Sequence, residues 1–178
     1  MKHKHAAKAM VFISLLSALA FVSVFFIQIP LIPSAAFLKF DVRDAIIMLG
    51  GIIYGPFAAF MGAFVSGILQ FVLTGEAGII GFFMNLISSV SFVCTASIIY
   101  KFGKNYKFLF AGLIAGCVLM TANMLLWNYL ITPLFMGVPR EIVGSMLFTV
   151  FMPFNLLKGC LNAAIVLLYY KGLGGIRS

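Results

Sequence analysis

Charge is what this chain lacks. Only 9% of its 178 residues are charged, and just four are acidic. Soluble domains carry about 25% charged residues, so the chain reads as an integral membrane protein of one domain. Tryptophan occurs once, histidine twice and cysteine three times. His3 and His5 stand among Lys2, Lys4 and Lys8, and Cys94, Cys117 and Cys160 are dispersed through apolar segments without a C-x-x-C pair. Neither set suggests a metal site or a disulfide framework, and the cysteines read as packed thiols. No G-x-x-x-x-G-K-[ST], H-E-x-x-H or G-x-S-x-G occurs. Phosphate-loop ATP hydrolysis is therefore excluded, and no residue is assigned a catalytic role. The net charge of +8 sits at segment ends, which does not suit nucleic-acid binding.

What the chain has is apolar length: 63% of its residues are hydrophobic. The basic N-terminus and the apolar stretch after it imitate a signal peptide. Hydrophobicity runs on to Ile29, beyond the roughly 7–15 residues of a secretory apolar core, so a retained helix is expected. The uncharged run from Ala45 to Leu73 is too long for one crossing of about 30 Å. Gly50-Gly51 and Gly55-Pro56 break it. The expected spans are about 8–29, 42–54, 56–73, 78–101, 107–135 and 142–171, the last kinked at Pro153. This makes an all-α membrane protein with six transmembrane helices.

The charges give a second count. With the N-terminus inside, inner segments carry Lys2, Lys4, Lys8, Lys101, Lys104, Lys107, Lys171 and Arg177, and no acid. Outer segments mix Lys39, Arg43 and Arg140 with Asp41, Asp44, Glu76 and Glu141. That is the positive-inside pattern for six spans with both termini cytoplasmic.

Lys158 is the basic residue left within a span. A cation at that depth costs at least a few kcal/mol unless it meets a partner, water or a ligand. Asn155, Lys158 and Asn162 share a helix face. Lys158 lies thirteen residues before Lys171, roughly 20 Å along the axis. That is too far for snorkelling to the inner end, although it could reach the opposite interface or cap kinked backbone. A polar ligand site within the bundle is the alternative. Asn85, Ser88, Ser89, Ser91, Thr121, Asn123 and Asn128 add uncharged polar groups, each individually suited to helix–helix hydrogen bonding. No acidic residue is expected deep in a span. Asp41 and Asp44 read as first-turn carboxylates paired locally with Lys39 and Arg43. The apolar connection Pro30 to Asp44 either lies in the lipid interface or packs over a cavity as a lid.

Two motifs carry a family resemblance: Phe37-Leu38-Lys39-Phe40-Asp41-Val42-Arg43-Asp44, and Pro153-Phe154-Asn155-Leu156-Leu157-Lys158-Gly159. With Asn128-Tyr129 and Pro133-Leu134, they resemble the substrate-binding S components of energy-coupling factor (ECF) vitamin transporters, specifically the riboflavin-binding ones. The resemblance implies an S-component fold in a bacterial cell membrane, with an outward-facing riboflavin pocket under the first loop. It implies ligand contacts at Asn155 and Lys158, at Asn128 with Asn123 competing for the same role, at Leu38 and Phe40 of the loop, and at Asn85. Ser14 and Ala18 match a small-x-x-x-small face for docking a transmembrane coupling subunit. Two partner ATPase subunits would use the ATP, and no resident cofactor is implied. A self-sufficient secondary transporter or facilitator of another polar solute or vitamin is the alternative, with a structural subunit of a membrane complex behind it. Lys158→Met is expected to weaken flavin binding by about 1.5–3 kcal/mol while leaving stability unchanged or raised.

Overall fold

The described residues fold into six helices around a buried polar centre. The structure, a computed structural model, describes residues 2–75 and 78–175, with the backbone alone for 2–6 and 34. Glu76 and Arg177, used in the charge count, lie outside the described residues, as do the side chains of Lys2, His3, Lys4 and His5.

The helices are α1 (Lys2–Phe26), α2 (Arg43–Tyr54), α3 (Pro56–Thr74), α4 (Gly78–Gly103), α5 (Tyr106–Met136) and α6 (Arg140–Gly172). Five are long and apolar enough to cross a membrane. The other, α2, has 12 residues, about 18 Å of helix. It ends at Gly55, whose φ of 89° suits a residue without Cβ. Pro56 then opens α3, where its missing N–H removes no helical bond.

Small residues set the packing. A Cβ at Gly112 would stand 2.7 Å from the Ala96 carbonyl oxygen, and one at Gly116 2.6 Å from that of Phe92. Helices α4 and α5 therefore meet backbone to backbone, which only a residue without Cβ allows. On α1, Ser17, Ala20 and Val24 are buried, and the helix packs on α2 and α3. Ser14 and Ala18 face outward and are exposed. Cys160 is also exposed, unlike the buried Cys117, so it is not the packed thiol expected.

Helix α6 passes Pro153 with a widened turn. Residues Leu147–Phe151 form a π turn, in which the Met152 N–H reaches the Leu147 carbonyl five residues back. Proline offers no N–H to the carbonyl four residues before it, and a π turn is one way a long helix absorbs such a defect.

The connection between α1 and α2 is structured. Ile29–Pro30 pairs antiparallel with Lys39–Phe40, and a 3-10 turn covers Pro33–Ala35. Helix α1 stops at Phe26 because the chain turns into this hairpin. The hairpin then descends into the bundle. Arg43 and Asp44, at the start of α2, meet Ser89 of α4, eleven residues past Gly78, or about 16 Å along that axis. The shortness of α2 follows: the hairpin fills the space beyond its N-terminus.

Candidate functional site

Beneath the hairpin lies a cavity of about 360 Å³. Phe37, Leu38, Lys39 and Asp41 supply its cover, and Phe37 packs on Phe151 with ring centres 6.4 Å apart. The apolar connection is therefore a lid. Met84, Met124, Ile131, Phe135 and Phe154 form apolar walls. Polar groups reach in from four helices: Gln70 from α3, Asn85 and Ser88 from α4, Asn128 and Thr132 from α5, Asn155 and Lys158 from α6. An apolar enclosure with a few placed polar groups is the usual form of a small-molecule site.

Five of the six expected ligand residues line this cavity: Leu38, Asn85, Asn128, Asn155 and Lys158. Phe40 does not. It is buried in the hairpin opposite Ile29. Of the two competing amides on α5, Asn128 faces the cavity, whereas Asn123 donates from Nδ2 to Ser91 Oγ at 2.8 Å. Asn155 Nδ2 donates to the Phe151 carbonyl at 2.7 Å, and Asn128 Nδ2 to that of Met124 at 2.6 Å. These bonds fix each amide's orientation, because only nitrogen can donate to a carbonyl. The Asn128 Oδ1 accepts from Thr132 Oγ1 at 2.8 Å.

Lys158 is neither snorkelling nor alone. Its Nζ stands 3.8 Å from Asp41 Oδ2 and 3.9 Å from Asp44 Oδ2. Carboxylates therefore do lie in the middle of the bundle, against the expectation from sequence. Asp44 Oδ1 accepts from Ser89 Oγ at 2.5 Å and lies 4.0 Å from Arg43 Nε. Arg43 donates to Gln70 Oε1 at 2.6 Å and to Ser89 Oγ at 3.4 Å. Of the two bases expected to pair locally with Asp41 and Asp44, Arg43 does so, whereas Lys39 donates to Gln28 Oε1 at 2.7 Å. Asp41, Arg43, Asp44 and Lys158 thus form a charge-balanced quartet, each less than a tenth exposed.

Several contributors were missed from sequence, among them Gln28, Thr132, Gln70 and Asp41. Gln70 sits in the uncharged run and carries a weak signal, as one amide among apolar neighbours. Asp41 looked like an ordinary helix-start carboxylate, and nothing local marks its descent.

A family model described as the substrate-specific component of ECF transporters matches residues 8–170. The chain belongs to that family. The S component is 31% identical over 174 residues to a protein of Staphylococcus aureus named riboflavin transporter RibU, covering 93% of this chain and 90% of that one. It is 29% identical over 178 residues to a RibU of Streptococcus thermophilus, covering 95% and 84% respectively. A Bacillus subtilis relative named riboflavin transporter FmnP is 27% identical over 172 residues, covering 92% and 90%. A solved structure described as the S component of a bacterial ECF transporter superposes with a TM-score of 0.83 at 30% identity, covering 96% of this chain and 98% of that one. The S component is thus a multi-pass protein of a bacterial membrane, and it is not an enzyme.

Proposed function

We propose that this S component captures riboflavin outside the cell and delivers it to the ATP-driven subunits of an ECF transporter. The carrying observation is the lidded cavity of about 360 Å³ with Asn128, Asn155 and Lys158 on its wall. Amides and an ammonium suit a ring system rich in carbonyls and ring nitrogens, the apolar walls suit its flat faces, and Asn85 and Ser88 suit a hydroxylated tail. The relatives' names agree with this ligand. The partners are a transmembrane coupling subunit, which would meet α1 along exposed Ser14 and Ala18, and two ATPases. The protein needs no resident cofactor.

In this reading the hairpin lid and α2 together make the sixth crossing, and both termini are cytoplasmic. Asn105, exposed between α4 and α5, then lies inside. With the three native thiols replaced, a cysteine at Asn105 is expected to resist an impermeant maleimide in intact cells and to label after lysis. Rapid labelling of intact cells would reverse the orientation.

Titrating flavin fluorescence against the purified protein tests the ligand. Saturable quenching is expected. Asn155→Leu keeps bulk but removes the amide, and should weaken binding by about 1–3 kcal/mol, or about fivefold to over a hundredfold. Asn123→Leu, altering an amide spent on Ser91, should leave affinity unchanged. Absence of quenching by the wild type would rule out riboflavin, and equal effects of the two substitutions would move the site away from Asn155.

A further inference from the structure

Lys158 and Asp41 are paired in charge but not in hydrogen bonds. Their separation of 3.8 Å is beyond the range of an N–H···O bond. Asp41 spends Oδ1 on the Arg43 backbone N–H at 3.0 Å, leaving Oδ2 towards Lys158. Both side chains line the cavity. The cavity therefore offers, where the lid meets α6, a donor and an acceptor side by side, each with bonding capacity left.

One residue sets this spacing. Asn162 is fully buried and outside the cavity wall. Its Nδ2 donates to the backbone carbonyls of Asp41 and Lys158, each at 3.1 Å. Its Oδ1 accepts the Ala45 N–H at 3.0 Å. A single amide thus ties the base of the lid, the first turn of α2 and the Lys158 turn of α6.

We propose that Asp41 and Lys158 together read an adjacent N–H and C=O on the ligand ring, an imide edge, with Asn162 as the positioning residue. The proposal rests on the flavin reading and deepens it, since the flavin ring carries such an edge. Lys158 donates to the ring carbonyl, and Asp41 Oδ2 accepts the neighbouring N–H as a charge-assisted bond. A ring with that nitrogen blocked would leave a carboxylate oxygen facing an apolar group, and the site would reject it. Because Asp41 belongs to the lid and Lys158 to α6, a ligand bound this way also fastens the lid to the bundle.

The test compares riboflavin with its derivative methylated at the ring imide nitrogen, by fluorescence titration of the purified full chain. Wild type should prefer riboflavin by about tenfold or more, the loss of one charged hydrogen bond. In Asp41→Asn the Arg43 N–H holds the amide oxygen and turns the NH2 group into the cavity. The preference should then fall to near unity. Asn162→Leu should shrink it as well, and this ratio does not change with the fraction of protein that is folded. If Asp41→Asn yields too little protein, Asp41→Asn with Arg43→Gln restores charge balance for the same comparison. Wild type binding both flavins equally, or Asp41 variants keeping the full preference, would overturn the proposal. An unchanged ratio in Asn162→Leu would remove the positioning role. Failure of wild type to bind riboflavin would instead remove the flavin reading, and this proposal with it.

Discussion

Lys158→Met should destabilise the protein in detergent by about 3–5 kcal/mol, and Asp41→Asn added to it should recover much of the loss. Removing one partner of a buried ion pair leaves uncompensated charge in a poorly solvating interior, which costs about that much. Here the loss would leave Asp41 and Asp44 facing a single Arg43 in a site less than a tenth exposed. Such a change shifts the ratio of folded to unfolded protein by over a hundredfold and is a large share of a typical stability of about 5–15 kcal/mol. Neutralising Asp41 as well restores the balance, with one acid against one base. Thermal unfolding of the single and double variants, monitored by tryptophan fluorescence, separates the outcomes. A single variant as stable as wild type, or a double variant no better than the single, would contradict the quartet. This reverses the expectation from sequence, where Lys158 had no acidic partner and its removal was neutral or favourable.

A second large effect concerns accumulation. Reconstituted alone in vesicles, the protein should bind riboflavin, while the internal concentration never exceeds the external one. Each tenfold of accumulation requires about 1.4 kcal/mol of coupled free energy, and the chain carries no phosphate loop to supply it. Addition of the coupling subunit, the two ATPases and ATP should switch accumulation on. Measured uptake against a gradient by the protein alone would favour a self-sufficient transporter instead.

The six helices were legible because their causes are local. Apolar length marks each long helix, and Gly55-Pro56 marks the break between α2 and α3. Asn155 and Lys158 were legible for a related reason, since polar groups in an apolar run need partners. The lid was legible only as a question. Its apolar residues fit an interface or a cover equally well, and pairing of Ile29 with Phe40 decides between them across ten intervening residues. The same pairing draws Phe40 into the hairpin and away from the cavity. The quartet was illegible because it joins residues more than a hundred positions apart, through the Asp41–Asn162 contact. Local patterning assigns Asp41 and Asp44 to a helix start, as it should, but not to a helix start sunk to mid-bundle.

The balance of that quartet has an electrical consequence. A single elementary charge carried across a membrane exchanges about 2.3 kcal/mol with each 100 mV of potential. Asp41, Arg43, Asp44 and Lys158 carry two charges of each sign, linked by pairs no longer than 4.0 Å, so a movement that carries all four together transfers no net charge. Displacement of this centre along the membrane normal therefore does little work against the field. An isolated Lys158 would have made every such movement sensitive to voltage.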